Sequence, residues 1–443
     1  MLAQAIQKRL FPLIQQALDL GQTALSDLNT GDPRLSQLSQ GIHLIDEQTL
    51  VERAQVMQKH IWPHGRGTNL FAVKGQPNHY VLRTLQNCGF GFDCSSPTEI
   101  LDALAVGATS GSMMYTANAT PSSHLKFAMD HGATINLDDA CYLEMLSVVP
   151  ETLSFRVNIA TLREKGEQNR IIGAGEEQKF GVPVEHLVAA YRQALGMGVK
   201  RFGLHTMYAS NNRSWQVHHK TVEILLELAS QLYRELGIRL AFINAGGGIG
   251  VDYKSPNDPS VEYGEDDKPF DLERYGQEVN QLFETFEAAH QWRPDFFLEC
   301  ARYVAAPAGA WVVPIIAVAE KYRRFACMGA SDSADLLRAG MYPAHHHVIV
   351  LGSDVGRRPI IKQSIVGPLC ENIHAVSERL LPEIRVGDWV VFCDAGCHGI
   401  EMGMNYNGWT KSAQVMRRID GSLVLISRAQ TIADLRATQV PLD

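Results

Sequence analysis

The chain has 443 residues, of which 45% are hydrophobic and 20% are charged, so it is long enough for two or three domains with sizeable cores. Forty Lys and Arg against 48 Asp and Glu give a formal net charge of -8, which argues against a general affinity for nucleic acid or anionic lipid. Its eight cysteines lack paired Cys-x-x-Cys spacing and are typical of reduced thiols in an intracellular protein.

The sequence carries no signal for secretion or membrane insertion. Pro12 and Asp19 interrupt any signal-peptide apolar core near the N-terminus. No apolar run reaches the ~20 residues that a membrane span requires. We therefore expect a soluble, cytoplasmic protein that binds neither nucleic acid nor membrane.

Short apolar runs alternate with helical patterns between about residues 40 and 300, which is typical of βα units around a buried parallel sheet. Eight strands with crossover helices favour a (β/α)8 TIM-like barrel over an open doubly wound sheet. The predicted strands are Thr68–Val73, Gly91–Cys94, Ser112–Thr116, Thr134–Leu137, Leu153–Val157, Arg201–His205, Leu240–Asn244 and Asp295–Leu298. The predicted helices include Pro97–Ala105, Ser122–Asp130, Leu187–Ala194, Thr221–Leu236 and Leu272–Ala289.

After Glu299 the pattern changes to apolar strands joined by Gly, Pro and Asp turns, which indicates a separate C-terminal all-β domain. Predicted strands there include Ala310–Ala319, His347–Leu351, Trp389–Phe392 and Leu423–Ile426. We expect a barrel over residues 46–305, a β domain over 306–443, and an N-terminal segment, 1–45, that packs with the β domain.

Lys74 follows three apolar residues at the C-terminal end of the first barrel strand, where barrel enzymes keep their active sites. A lysine there must be paired or deprotonated, and a neutral amine can form a Schiff base. A surface lysine is the alternative, and from this position alone the more frequent one.

Two further strand ends carry groups suited to a phosphorylated pyridine cofactor. Gly246, Gly247 and Gly248 expose backbone N–H groups able to surround a phosphate, although a tight βα turn explains them equally, and Ser210 could add a hydroxyl. Glu299 and Arg302 end the eighth strand. A lysine for the aldehyde, a carboxylate for the ring nitrogen and a phosphate cradle thus occupy three strand ends.

With these motifs in order, the sequence from about Gly41 to Leu435 resembles the fold-type III pyridoxal-phosphate decarboxylases related to alanine racemase, and most closely their diaminopimelate decarboxylase branch. The motifs that carry the resemblance are Phe71 to Lys74, Gly91 to Ser96 with Glu99, Gly203 to His205, Gly246 to Gly248, Glu299 to Arg302, Gly367 to Asn372 and Gly396 to Gly408.

The resemblance implies pyridoxal 5'-phosphate as the cofactor, with Lys74 forming the internal aldimine and Glu299 pairing with the ring nitrogen. It also implies phosphate contacts from Gly246 to Gly248 and Ser210, with Arg302 near phosphate and substrate.

For the substrate, the resemblance implies that Arg338 and Tyr342 bind a carboxylate. Cys370 and Glu371 would reach the neighbouring subunit's site in a homodimer, the cysteine as proton donor and the glutamate on the substrate amine.

Several positions depart from the family pattern. The ring-stacking histidine of the family's His-x-His-x-Gly-Ser motif is Met207 here, and a tyrosine near the phosphate is His398. Where the family has an acidic residue after the Cys-Glu pair, this chain has His374, and where the family has Pro-Gly it has Cys300-Ala301. Met207 and His398 remain candidates for cofactor contacts, since a thioether can pack on the ring and a protonated imidazole can pair with phosphate.

The remaining candidate residues also have interpretations that involve no function. His205 either lines the barrel mouth or is a satisfied polar core residue. The run His345 to His347 suggests a metal, but successive strand side chains alternate faces, so we predict no metal site.

The sequence therefore predicts a carboxy-lyase that converts meso-diaminopimelate to L-lysine and CO2. Alternatives are a decarboxylase of a D-basic amino acid or of a siderophore or polyamine intermediate, and a catalytically silent regulatory homologue. Retention of Lys74, Glu299, Arg302 and Cys370 argues against the last.

Overall fold

The computed structural model describes residue 16 and residues 41–163, 178–254, 268–342 and 344–442. The chain divides into two units, which we call the barrel unit (Val51–Val251 and Lys268–Val304) and the sheet unit (Met1–Leu50, Asp252–Asp267 and Ala305–Asp443). Most of the N-terminal segment that was predicted to pack with the β domain therefore lies outside the described residues. Its described end forms strand β1 (Ile42–Asp46), which belongs to the sheet unit.

The barrel unit contains a closed ring of eight parallel strands. Each strand is hydrogen-bonded to the next, and pairing of Phe296 with Gly67 and of Ile135 with Leu153 closes the ring. From α1, which leads into this unit, the elements are α1 (Glu47–Ile61), β2 (Gly67–Ala72), α2 (His79–Asn87), β3 (Gly91–Cys94), α3 (Pro97–Ala105), β4 (Met113–Ala117), α4 (Ser122–Asp130), β5 (Thr134–Leu137), β6 (Thr152–Asn158), β7 (Val182–Pro183), α5 (Leu187–Met197), β8 (Arg201–His205), α6 (Trp215–Leu236), β9 (Phe242–Asn244), α7 (Leu272–His290), β10 (Asp295–Leu298) and α8 (Arg302–Ala305).

The predicted barrel is confirmed, and all eight predicted strands correspond to barrel strands. Among the described strands, the short strand β7 pairs only with the end of β6. Strand β3 shows why the pattern was readable, because all four of its residues are buried, as in parallel strands covered by helices. Helix α6 begins at Trp215, six residues before the predicted start, because the side chain of Ser214 caps it by accepting from the Val217 N–H.

The sheet unit holds a nine-stranded sheet with the main strand order β15-β14-β12-β11-β1-β17-β18, and β16 joins β11 to β13. Strand β1 is parallel to β17 and antiparallel to β11. The remaining elements are β11 (Gly309–Glu320), β12 (Arg324–Met328), α9 (Asp332–Asp335), α10 (Leu337–Met341), β13 (Val348–Leu351), β14 (Ile360–Val366), β15 (Val376–Pro382), β16 (Trp389–Phe392), β17 (Ala413–Arg417), β18 (Leu423–Ser427) and α11 (Ile432–Arg436).

The core of the sheet unit is built around Trp311, which is fully buried and stacks on Phe392 with ring centroids 5.0 Å apart. The four strands predicted here correspond to β11, β13, β16 and β18. Strands β14 and β15 carry exposed polar residues such as Lys362, which hide the apolar alternation that a sequence prediction relies on. No helix among the described residues combines the length and apolarity needed to cross a bilayer.

Candidate active site

Lys74 lies at the C-terminal rim of the barrel, in a single helical turn that directly follows β2. Its side chain is 53% exposed, and Nζ lies 3.6 Å from Oδ2 of Asp93. Packing among barrel atoms opposes the charge of Lys74, but the carboxylates of Asp93, Glu299 and Glu99 outweigh this and hold its pKa above the usual value. Of the two possibilities left by the sequence, paired or deprotonated, the structure shows the pair.

Glu299 follows β10 and is almost fully buried. Its Oε1 accepts a hydrogen bond of 2.8 Å from Nδ2 of Asn244 and lies 3.2 Å from Nε2 of His205. Burial alone would raise the pKa of Glu299, yet His205, Lys74 and Asn244 together hold it below the usual value. The carboxylate is therefore kept ionised at the bottom of the site.

His205 ends β8 and is completely buried. The sequence left open whether His205 lines the barrel mouth or is a satisfied polar core residue. Both descriptions apply, because the imidazole is buried and its polar partner is the Glu299 carboxylate.

Asp93 was part of a quoted motif but received no role from the sequence. It points into the barrel from β3 and is 1% exposed. Burial and the nearby charge of Glu299 raise the pKa of Asp93, whereas Lys74 lowers it. The pKa values of the two acids at the rim are thus shifted in opposite directions, that of Glu299 downward and that of Asp93 upward.

Asn244 and Arg156 are the other residues that sequence reasoning missed. Asn244 holds Glu299 with its Nδ2 and the glycine loop with its Oδ1, which accepts from the Gly246 N–H at 2.9 Å. Arg156, in β6, is buried with Nη1 3.7 Å from Oδ1 of Asp138. For Asn244, as for Lys74, the signal available was a polar residue at the end of an apolar strand, whereas Arg156 lies inside β6.

The glycine loop forms a cradle of backbone groups. Gly248 has a φ of +91°, and a Cβ there would overlap the carbonyl oxygen of Ala209, so only glycine fits. The neighbouring Ser210 is buried. Met207 lies with Ser210 on the loop after β8, and its Sδ accepts from the Gly247 N–H of the glycine loop at 3.2 Å. The thioether at the position of the family's stacking histidine therefore faces the cradle.

Arg302 opens α8, three residues after Glu299, and is half-buried. The barrel unit therefore places the following residues at or just after the C-terminal ends of its strands: Lys74, His205, Met207, Ser210, the glycine loop, Glu299 and Arg302.

The other predicted site residues belong to the sheet unit. Arg338 lies in α10 and is 4% exposed, whereas Tyr342, just after that helix, is 40% exposed. Nη1 of Arg338 is 3.1 Å from Nε2 of His346, and its guanidinium lies over the Tyr253 ring with Cζ 4.5 Å from the ring centroid. The histidine run was treated as metal-binding or accidental, and its contact with Arg338 was missed. No cluster of three metal-ligating side chains occurs within the described ranges.

Cys370 and Glu371 are exposed neighbours on a loop before β15. Nδ2 of Asn407 lies 2.9 Å from Sγ of Cys370, and a hydrogen bond with Glu371 raises the pKa of Tyr406. The loop is thus held by the Asn405 to Gly408 segment. His398 is half-buried after β16 with a φ of +56°.

The barrel residues fit pyridoxal phosphate. The glycine loop packs so closely on the loop after β8 that a Cβ on Gly248 would overlap the Ala209 carbonyl oxygen. This packing sets the glycine turn beside the buried Ser210, and a glycine turn with a hydroxyl group suits a phosphate. Glu299 supplies an ionised carboxylate for a protonated ring nitrogen, and Lys74 supplies a half-exposed amine for the aldehyde.

Comparison with known proteins gives the same assignment. The family model described as the pyridoxal binding domain of pyridoxal-dependent decarboxylase matches residues 47–306. The chain is 31% identical over 434 residues to Protein TabA of Pseudomonas amygdali pv. tabaci, covering 98% of this chain and 95% of TabA. It is 30% identical over 407 residues to diaminopimelate decarboxylase of Methanothermobacter thermautotrophicus, covering 90% and 92%.

The fold is shared with diaminopimelate decarboxylase from Helicobacter pylori, a structure solved in complex with L-lysine. The TM-score is 0.77 at 20% identity, covering 90% of this chain and 96% of the other. The chain therefore belongs to the pyridoxal-dependent decarboxylases. It is a pyridoxal-phosphate-dependent carboxy-lyase of the diaminopimelate decarboxylase type.

Proposed function

We propose that this enzyme removes CO2 from meso-diaminopimelate to form L-lysine. The observation that carries the proposal is the presence of a buried, oriented arginine, Arg338, in addition to the Lys74–Glu299 centre of the barrel. A substrate with a second carboxylate suits such a guanidinium, whereas lysine and ornithine would present an ammonium to it. The 30% identity to a diaminopimelate decarboxylase supports the same substrate.

In this proposal the barrel residues hold the cofactor. Lys74 would bind it through Nζ, the loop Gly246 to Gly248 with Ser210 would hold its phosphate, and Met207 would pack on its ring, with His205, His398 and Arg302 nearby. When bound, pyridoxal phosphate withdraws electrons from the bond that links Cα to the departing carboxylate. Glu299 would keep the proton on the ring nitrogen, for which its lowered pKa suits it.

The remaining residues would handle the substrate. Arg338 and Tyr342 would bind the distal carboxylate, and Arg302 would lie beside the reacting end. We further propose a cytoplasmic homodimer in which Cys370 and Glu371 of one copy act in the site of the other. Cys370 would return a proton to Cα and Glu371 would contact the amine.

A second candidate is a decarboxylase of another amino acid on the same centre, such as a D-basic amino acid or a siderophore or polyamine intermediate. The departures at Met207, His374 and His398 favour it, and so does the 31% identity to TabA, a relative with a different name.

The substrate is tested by measuring CO2 release from meso-diaminopimelate and from lysine, ornithine and arginine, the last three in both D and L forms. We expect turnover of meso-diaminopimelate above all others, and Arg338→Met should remove this preference. A wild-type enzyme that leaves diaminopimelate untouched while consuming another amino acid would establish the second candidate.

The role of Lys74 is tested with Lys74→Met against Lys126→Met as the matched control, since Lys126 is an exposed lysine paired with Asp130 in α4. Lys74→Met should lose the visible absorption band of bound cofactor and its activity, while the control keeps both. An unchanged band in Lys74→Met would refute the role.

The shared site is tested by mixing Lys74→Met with Cys370→Ala, each inactive alone. Partial activity is expected in mixed dimers, because one of the two sites then has both residues. Mixed dimers that form but stay inactive would contradict sharing.

A further inference from the structure

The histidine beside Arg338 has a defined chemical state. Nη1 of Arg338 lies 3.1 Å from Nε2 of His346, and both side chains are almost fully buried. A guanidinium only donates hydrogen bonds, so Nε2 of His346 must accept. The imidazole is therefore neutral with its proton on Nδ1, and that N–H donates to the carbonyl oxygen of Cys393 at 2.8 Å.

His346 is fixed on both nitrogens and also through its backbone and ring. Its carbonyl oxygen accepts a 2.6 Å hydrogen bond from Nη1 of Arg379, in β15. Its ring meets the ring of Tyr253 edge to face, with centroids 5.0 Å apart. Tyr253 in turn packs on the face of the Arg338 guanidinium. His346 and Tyr253, each held by further contacts, thus meet at the Arg338 guanidinium.

We propose that His346 is a positioning residue for Arg338. It holds the guanidinium on the Tyr253 ring in one orientation, so that an incoming carboxylate meets a preorganised donor set. This inference rests on the proposed function, in which Arg338 binds the second carboxylate of the substrate. An arginine has many rotamers in solution, and ordering one side chain in advance is worth about tenfold in affinity.

The kinetic test uses three variants. His346→Leu removes the acceptor, His346→Gln restores it through an amide oxygen, and His347→Leu changes the adjacent, partly buried histidine as the matched control. We expect His346→Leu to raise KM for the dicarboxylic substrate about tenfold, with kcat and the cofactor absorption band unchanged. His346→Gln should recover most of the wild-type KM, and His347→Leu should equal wild type.

A purely structural role gives a different result. In that case His346→Leu lowers Tm, kcat and cofactor absorption together, and His346→Gln does not restore KM selectively. Either that pattern or an unchanged KM in His346→Leu overturns the inference.

A substrate-free measurement separates this inference from the proposed function. Phenylglyoxal modifies arginine, and the rate at Arg338 can be followed by peptide mass spectrometry without any amino acid present. We expect faster modification in His346→Leu and a wild-type rate in His346→Gln and His347→Leu. If this holds but the wild type does not decarboxylate diaminopimelate, the proposed function fails and the positioning role stands. An unchanged rate in His346→Leu refutes positioning whatever the substrate.

Discussion

The cationic side chains of Lys74, in the barrel unit, and Arg338, in the sheet unit, have opposite surroundings. Lys74, in the barrel unit, is half-exposed and lies among the carboxylates of Asp93, Glu299 and Glu99, which raise its pKa. Arg338, in the sheet unit, is 4% exposed and contacts a neutral imidazole and an aromatic ring. In the proposed function, the group that gains and loses a proton is thus set among titrating neighbours, whereas the group proposed to recognise charge is held by contacts that preserve its geometry.

The same contrast appears in the packing. In the barrel site, hydrogen bonds connect residues at the strand ends. Asn244 is the clearest example, because its side chain bonds both Glu299 and Gly246. In the sheet unit, α10 is fitted by close contact, since a Cβ on Gly340 would overlap Cγ2 of Ile373 on the loop that follows Cys370 and Glu371. Substitutions in the barrel site should therefore mainly affect catalysis, and substitutions around α10 of the sheet unit should mainly affect packing.

The largest expected effect is at the barrel carboxylate. Glu299→Gln keeps the shape and the Asn244 contact but removes the charge that would hold a ring proton, so we expect kcat to fall about 10²–10⁴-fold. KM should change little. Steady-state kinetics on the identified substrate measures both, with Glu287→Gln as control, because Glu287 is a half-exposed glutamate of α7. Equal kcat in Glu299→Gln and in the control would contradict this role of Glu299.

The sheet unit should respond to volume instead. Gly340→Ala gains about 1 kcal/mol of helix propensity but overfills the space beside Ile373, at a cost of about 1–3 kcal/mol. Because the β-branched Ile373 side chain cannot easily move aside, we expect a net destabilisation of about 1 kcal/mol. Urea unfolding measures it. The double variant Gly340→Ala with Ile373→Val keeps Cγ2 and should not recover, whereas Ile373→Ala should.

A subtler effect concerns the protonation of Lys74. Asp93 is the strongest of the carboxylates that raise the pKa of Lys74, so Asp93→Asn should lower that pKa. A larger neutral fraction would then react with an amine reagent at pH 8 to 9 in cofactor-free protein. The modification rate of Lys74, compared with Lys126 in the same sample by peptide mass spectrometry, checks this. A slower or unchanged Lys74 rate would show that the Asp93 charge does not act on it.

The smallest effect is expected at the end of the sheet unit. Asp434 caps α11 with Thr431, and both of its oxygens accept from Arg428, which lowers the pKa of Asp434. Since these groups are partly exposed and screened, Asp434→Asn should cost only about 0.5–1 kcal/mol at pH 7.

The sign of the pH dependence follows from the lowered pKa of Asp434. Its stabilisation is present above the unfolded pKa of about 3.9 and is lost as pH falls through the folded value. The difference between variant and wild type should therefore disappear in acid. Asp130→Asn, which breaks the exposed pair with Lys126 in the barrel unit, is the control and should cost about 0.3–0.5 kcal/mol.

The barrel and the convergence of its strand ends could be predicted from the sequence. Strand β3 and its neighbours are short apolar runs followed by polar residues, and the carboxyl ends of parallel strands all meet at one rim. That rule alone brings Lys74 to the same edge as Glu299. The irregular sheet was harder, because its edge strands lack clear alternation and β1 pairs with β17, some 370 residues away in the chain.

The residue types at the strand ends, and hence the class of chemistry, can be read from the amino-acid sequence. The neighbours that set the charge and orientation of these residues become visible only in the folded chain. Asn244 meets Glu299 across 55 residues, and Asp93 reaches Lys74 because β2 and β3 are in register. In the sequence, His346 is one member of a histidine run and has no evident partner. The structure shows that its Nε2 contacts Arg338. The physical reason is that periodicity encodes which face of an element is buried, whereas hydrogen-bond partners depend on register and side-chain direction between distant segments.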